Sequence, residues 1–292
     1  MIKYFFAILI HVFSTIVVFA ENDLGKSKAV SKRYTAYEIG VHIGESHYYG
    51  DLSKGFFQRK NIHKEYGAFI KYQYGRNWVF KFQYCQGNIS GNDIYNKPSL
   101  VPRNLNFQSH IKEYALMVEY NYPEFTVCRQ YNWAPYITAG IALFHFNPYN
   151  KFGDLKWLST EGQGTSANPN TKQYALTQPS LPIGVGIKFI PLKRIIIGFE
   201  AGVRYTLTDY MDDVSTTYPD PAILLAEKGK LAVAASNPGK FKYPNNNPTG
   251  QQRGGSAKDS YFISFVYISY VFKYNCESEK YRYNDVGGCK SF

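Results

Sequence analysis

A two-residue alternation, repeated along most of the chain, limits what this sequence can fold into more than any other feature. Tyr37, Ile39, Val41 and Ile43 are separated by Glu38, Gly40 and His42, and the same period recurs at 66–74, 78–84, 114–120, 137–143, 183–189 and 195–203. A last stretch, 261–272, is apolar on both faces. Successive side chains of a β-strand point to opposite faces, so a period of two predicts strand where a helix would show 3.6. Eight strand candidates of about ten residues each have the length a tilted strand needs to cross a bilayer.

The connections between these stretches alternate in length. Long ones cover 46–62, 88–108, 147–179 and 209–258; short ones cover 75–77, 123–131 and 191–194. This rhythm predicts an all-β fold, an eight-stranded antiparallel transmembrane β-barrel with long extracellular loops and short periplasmic turns. A water-soluble barrel would turn its apolar face inward. Here one face is Tyr, Ile, Val and Phe, which suits lipid, and the other carries glycine with single charges of both signs. The alternation assigns Glu38, Glu65, Lys71, Lys81, Glu113, Glu119, Lys188, Glu200 and Arg204 to the lumen, five acids against four bases. The interior of an eight-stranded barrel is just wide enough for side chains, and buried charges persist when paired. A salt-bridged plug is therefore expected rather than an ion path.

The start of the chain reads as an export signal. Lys3 precedes an apolar run from Tyr4 to Phe19, and Val18-Phe19-Ala20 has the small residues of a cleavage site. The expected organisation is a signal peptide at 1–20, a periplasmic segment at 21–35, an outer-membrane β-barrel at 36–274 and a periplasmic tail at 275–292. Exported chains can form disulfides. Cys276 and Cys289 bracket the polar tail and are the expected pair, whereas Cys85 and Cys128, at opposite ends of the fold, are expected to be free. None of the four has a His or Cys at metal-ligand spacing.

Residues that could carry chemistry are few. No nucleophile elbow, zinc-protease helix or phosphate loop is present, and neither a catalytic site nor a cofactor is expected. The densest polar cluster, Asp209, Asp212 and Asp213, lies at the outer end of the seventh strand candidate. Three carboxylates there could bind calcium or activate water, but capping of the strand exit is the expected role. Ile223–Ala226 and Leu231–Ala235 predict short helices folded back over the barrel mouth, with Pro244–Pro248 ending them, while 162–172 reads as flexible. The 33 Lys and Arg against 22 Asp and Glu give a net charge of +11. Much of this excess falls outside the strands, at Lys26, Lys28, Lys32, Arg33, Lys54, Arg59, Lys60 and Lys64, which suits lipid headgroups or an acidic partner and not nucleic acid.

Four segments resemble the PorG family, the barrel component of the type IX secretion system. They are Glu38–Leu52 (EIGVHIGESHYYGDL), Pro135–Pro148 (PYITAGIALFHFNP), Phe199–Tyr218 (FEAGVRYTLTDYMDDVSTTY) and the run from Arg253 into Tyr261 (RGGSAKDSY). The resemblance covers roughly 36–274, and Phe199–Tyr218, which contains Asp209, Asp212 and Asp213, is its most specific part. It implies a non-enzymatic outer-membrane barrel associated with a periplasmic ring lipoprotein and its partner subunit, acting in protein export and, in gliding species, in adhesin movement. The turns 75–77, 123–131 and 191–194, with the tail, would then be the contact surface.

Overall fold

The computed structural model describes residues 34–275 apart from 56–57, 129–131, 245–246 and 256. The expected signal peptide, most of the expected periplasmic segment, and the tail with Cys276 and Cys289 lie outside the described residues. Eight long strands form the wall: β1 Thr35–Tyr49, β2 Ile62–Tyr74, β3 Trp78–Asn92, β4 Asn106–Asn121, β5 Trp133–His145, β6 Thr177–Leu192, β7 Ile195–Thr206 and β8 Ser260–Asn275. Each pairs antiparallel with its sequence neighbours. β1 pairs with β8 from Thr35↔Asn275 to Tyr49↔Ser260, which closes the sheet and leaves the wall without an unpaired edge.

The alternation sorts the wall into two faces. Val41, Ile70, Leu116, Ile141 and Val185 point outward, with Ile141 62% and Val41 56% exposed. Tyr66 and Tyr114 sit at one margin of this apolar belt, and Tyr37, Tyr74, Trp78, Trp133 and Tyr270 at the other, all exposed. An outward apolar band between aromatic girdles is the surface a barrel presents to a bilayer.

The two rims differ. On one side the strands end at the belt in short turns. On the other, β4 continues past Tyr114 with Lys112, His110 and Gln108 facing outward, and β3 continues with Asn88. From Tyr114 to Asn106 the strand advances about 27 Å, which a barrel tilt of 35–45° turns into roughly 20 Å above the belt. The long loops spring from this overhang. Loop 207–259 carries two helices, α1 Pro221–Lys228 and α2 Lys230–Ser236. Asp220 caps α1, its carboxylate accepting from the Ala222 and Ile223 N–H groups at 2.8 and 3.4 Å.

Inward-facing glycines make room for lumen aromatics. A Cβ on Gly186 would fall 2.3 Å from the Tyr136 ring, and one on Gly198 would fall 2.3 Å from the Tyr267 ring. The glycine-rich second face of the sequence is thus the space into which those two tyrosines fold.

Candidate functional site

The nine charged residues assigned to the lumen all lie inside the barrel and are buried. Register explains how they meet. Glu38 on β1 stands opposite Lys71 on β2, and Lys71 stands opposite Lys81 on β3. Two lysines side by side in a lumen repel, and acids from across the barrel offset this. Lys71 lies 3.1 Å from Glu119 and 3.7 Å from Glu38. Lys188 also pairs with Glu119, so one carboxylate serves two ammonium groups. Lys81 meets both oxygens of Glu200 at 2.7 Å, and Tyr136 donates to Glu200 at 2.8 Å. Nearer the overhang Arg204 reaches Glu113 at 3.5 Å, and Tyr261 donates to the same carboxylate. The fifth acid, Glu65, faces His42 Nδ1 at 3.3 Å.

Both ends of this network are closed by side chains. From the short-turn rim, Phe125 is buried, with the Lys188 ammonium 4.8 Å from its ring centre. Its backbone is held by the Gln73 amide, which donates to the Phe125 carbonyl at 2.5 Å, and by its own N–H, which donates to Arg76 at 3.1 Å. At the other end Phe144, Phe146, Tyr174 and Tyr210 form a column with ring centres 5.4, 6.1 and 4.9 Å apart in turn.

The acidic cluster sits in the mouth, and each carboxylate has its own partners. Asp209 accepts from the Ser215 hydroxyl at 2.7 Å. Asp213 accepts from Tyr174 at 2.8 Å and from Thr160. Asp212 accepts the Val214 N–H at 2.9 Å, a loop cap of the kind expected. The Tyr48 hydroxyl lies 2.6 Å from Asp212 Oδ2 and 2.8 Å from Asp259 Oδ1. A phenol has one hydrogen, so it can donate to only one of the two. The second short contact needs a proton on a carboxyl, which then donates to the phenol oxygen. Burial, and after it mutual repulsion at Asp212, raises both acids well above the ordinary carboxylate range, which agrees with a pair that holds a proton. Burial likewise raises Asp213 to about 7, against the pull of Arg253, and Asp209 to about 6, against its bond from Ser215.

Further out, two buried arginines tie the loops together. Arg103 Nη2 meets Asp93 at 2.7 Å, and its Nη1 donates to the Arg253 carbonyl at 2.5 Å. Arg253 Nη1 donates to Glu161 at 3.1 Å and to the Asp213 carbonyl at 2.6 Å. Glu161 also accepts the Ser215 and Thr216 N–H groups at 2.8 and 2.9 Å. Segment 162–172, expected to be flexible, is instead built into this cap. Gln163 and Thr165 are buried, and Gln163 bridges to Asn168. A second correction concerns Cys128, which is disulfide-bonded and not free. Cys85 is a buried free thiol 3.6 Å from Glu113.

Periodicity missed Tyr48, Asp93, Arg103, Glu161, Arg253 and Asp259. Tyr48 had a signal, since it continues the inward positions 38, 40 and 42 along β1. The others come from three loops, and nothing in their local sequence marks them as neighbours. Chemically the mouth is a set of carboxylates held by hydroxyl and N–H donors, with Asp209 Oδ1 buried and without a donor. Among the described residues no group of three or more His, Cys, Asp or Glu could hold a metal ion.

The chain is similar in structure to the N-terminal β-barrel domain of Pseudomonas aeruginosa OprF, with 10% identity, a TM-score of 0.37, and coverage of 80% of this chain and 97% of that one. It is also similar to the attachment invasion locus protein Ail of Yersinia pestis, with 10% identity, a TM-score of 0.38, and coverage of 82% and 99%. Outer membrane protein W of Escherichia coli gives 10% identity, a TM-score of 0.36, and coverage of 81% and 98%. No curated protein matches the sequence. A family model described as a domain of unknown function, DUF6089, matches residues 12–222, which spans β1 to β7 and the acidic cluster, and the chain belongs to that family.

Proposed function

We propose that this protein is a non-enzymatic outer-membrane barrel that serves the type IX secretion machinery, and gliding where it occurs, by presenting its rims to partner proteins. The observation that carries the reading is the filled lumen. Ion pairs cross its middle, Phe125 closes one end and the aromatic column closes the other. A barrel packed in this way stands in the membrane as a fixed body, with lipid around its belt. The bonds that hold both oxygens of Asp212 and Asp213, and one oxygen of Asp209, to neighbouring loop and wall groups support a structural cap over a hydrolytic site. The particular machine comes from the sequence resemblance, which points the short-turn rim at a periplasmic ring lipoprotein and its partner subunit.

The test is a mild-detergent pull-down of the tagged protein from its native outer membrane. Stoichiometric recovery of a periplasmic lipoprotein ring is expected, and Lys193→Glu, in the exposed turn between β6 and β7, should reduce it. A lone heat-modifiable barrel would sink the secretion role and leave the fold intact. The overhang and its cap favour a second reading, a stand-alone barrel for adhesion or transport acting through its outer loops. Under that reading, deleting 220–250 removes function without changing any partner recovered from the periplasmic side.

A further inference from the structure

We infer that the loop cap carries a docking groove for an acidic polypeptide segment with apolar side chains, formed by α1, α2, the stretch 238–244, Asn247 and Pro248. Pro221, Leu224, Val233, Phe241 and Pro244 line a cavity of about 520 Å³. At its edge Phe241 is 78% exposed, more than any other large apolar side chain among the described residues. Leu231 nearby is 59% exposed. Four lysines, Lys228, Lys230, Lys240 and Lys242, flank these apolar groups, and Lys240 itself lines the cavity.

Local charge selects the partner. Glu227 is the only acid between Asp220 and Lys258. Its carboxylate is already turned away, accepting the Ser166 N–H at 3.1 and 3.3 Å, and Asp220 is used in capping α1. The groove therefore offers apolar contact inside a positive rim, complementary to a chain that alternates acidic and apolar residues. A second cavity of about 530 Å³ shares Asn247 and Pro248 with the first and has a polar lining in which Arg103 and Arg253 outnumber the one acid, Asp51, whose carboxylate accepts the Gly255 N–H. An extended segment leaving the apolar cavity over Pro248 would enter it.

Anionic lipid offers the same charge and an apolar tail, but the fold holds the groove away from the bilayer. Segment 238–241 packs on the 101–103 turn so closely that a Cβ on Gly239 would fall 2.0 Å from the Pro102 carbonyl oxygen. That turn precedes Asn106, the overhanging end of β4, roughly 20 Å above the belt. The inference uses the barrel and its belt, and does not depend on which machine the barrel serves.

The test uses the full chain in nanodiscs of zwitterionic lipid and a fluorescein-labelled peptide of about ten alternating Glu and Phe or Leu residues, read by anisotropy. The peptide should bind, more weakly as salt rises from about 0.05 to about 0.3 M. Lys240→Gln with Lys242→Gln, and separately Phe241→Ala, should each weaken binding about tenfold or more. Both variants are at exposed positions, and heat-modifiable migration checks that they fold. Absence of binding, equal binding of a peptide with Gln in place of Glu, or indifference to the substitutions would overturn the inference. So would capture of phosphatidylglycerol vesicles in preference to the peptide.

Discussion

Glu119 is the point at which the lumen is most exposed to perturbation. It is fully buried and pairs with both Lys71, at 3.1 Å, and Lys188. Glu119→Gln keeps the size and removes the charge. Lys71 then retains only Glu38 at 3.7 Å, and Lys188 loses its direct acidic partner. Leaving a buried charge uncompensated costs about 3–5 kcal/mol. A contact of this length is worth about 5 kcal/mol at an effective dielectric of about 20, so loss of the carboxylate accounts for an effect of that size. Urea unfolding in lipid vesicles, followed by tyrosine fluorescence and heat-modifiable migration, would measure it. Because the penalty comes from the orphaned ammonium, Glu119→Gln combined with Lys188→Met should recover to within about 1–2 kcal/mol of the parent, as replacing both members of a buried pair usually does. If Glu119→Gln alone stays within about 1 kcal/mol of the parent, or the double variant is no better than the single one, the pairing argument fails.

Other perturbations test other parts of the fold. Asp213 has its proton affinity raised from an ordinary value near 3.8 to about 7 in the folded cap. The native state then binds more protons than the unfolded one at this group across that interval, so the contribution of Asp213 to the cap's stability is full below pH 4 and is lost as pH rises to 7. Hydrogen exchange over 208–218 should quicken across that range, and Asp213→Asn should flatten the dependence. Gly198→Ala drives a methyl into the buried Tyr267 ring and should cost about 1–3 kcal/mol in the same urea assay. Val185→Arg, in the outward belt, should cost about 2–4 kcal/mol in vesicles, while Gln108→Arg, on the overhang, should cost almost nothing.

The wall of this barrel was legible because lipid and lumen impose opposite chemistry on alternate residues, and the alternation survives in the sequence as a period of two. The inward placement of Lys71, Glu119 and their companions follows from the same rule. Their pairing does not. Whether Lys188 meets Glu119 or Glu200 depends on register and on which strands face each other across the lumen, and that is a property of the closed barrel. The mouth was harder still. Asp93, Glu161 and Arg253 are unremarkable in isolation and are drawn into one network only when three long loops fold together. Reading 162–172 as flexible from its glycines and asparagines failed because the segment closes on itself, with Gly164 N–H donating to Thr171 and Asn168 N–H to Thr165, and Glu227 accepts the Ser166 N–H from outside it.

The glycine-seated tyrosines and crossed ion pairs have a mechanical consequence. An empty cylinder of this girth would flatten under lateral membrane pressure or an off-axis pull, because its wall is one sheet thick. A close-packed interior has low compressibility and transmits strain. Load applied at the short turns would thus pass to the far rim with little change in cross-section, as through a solid peg seated in the membrane.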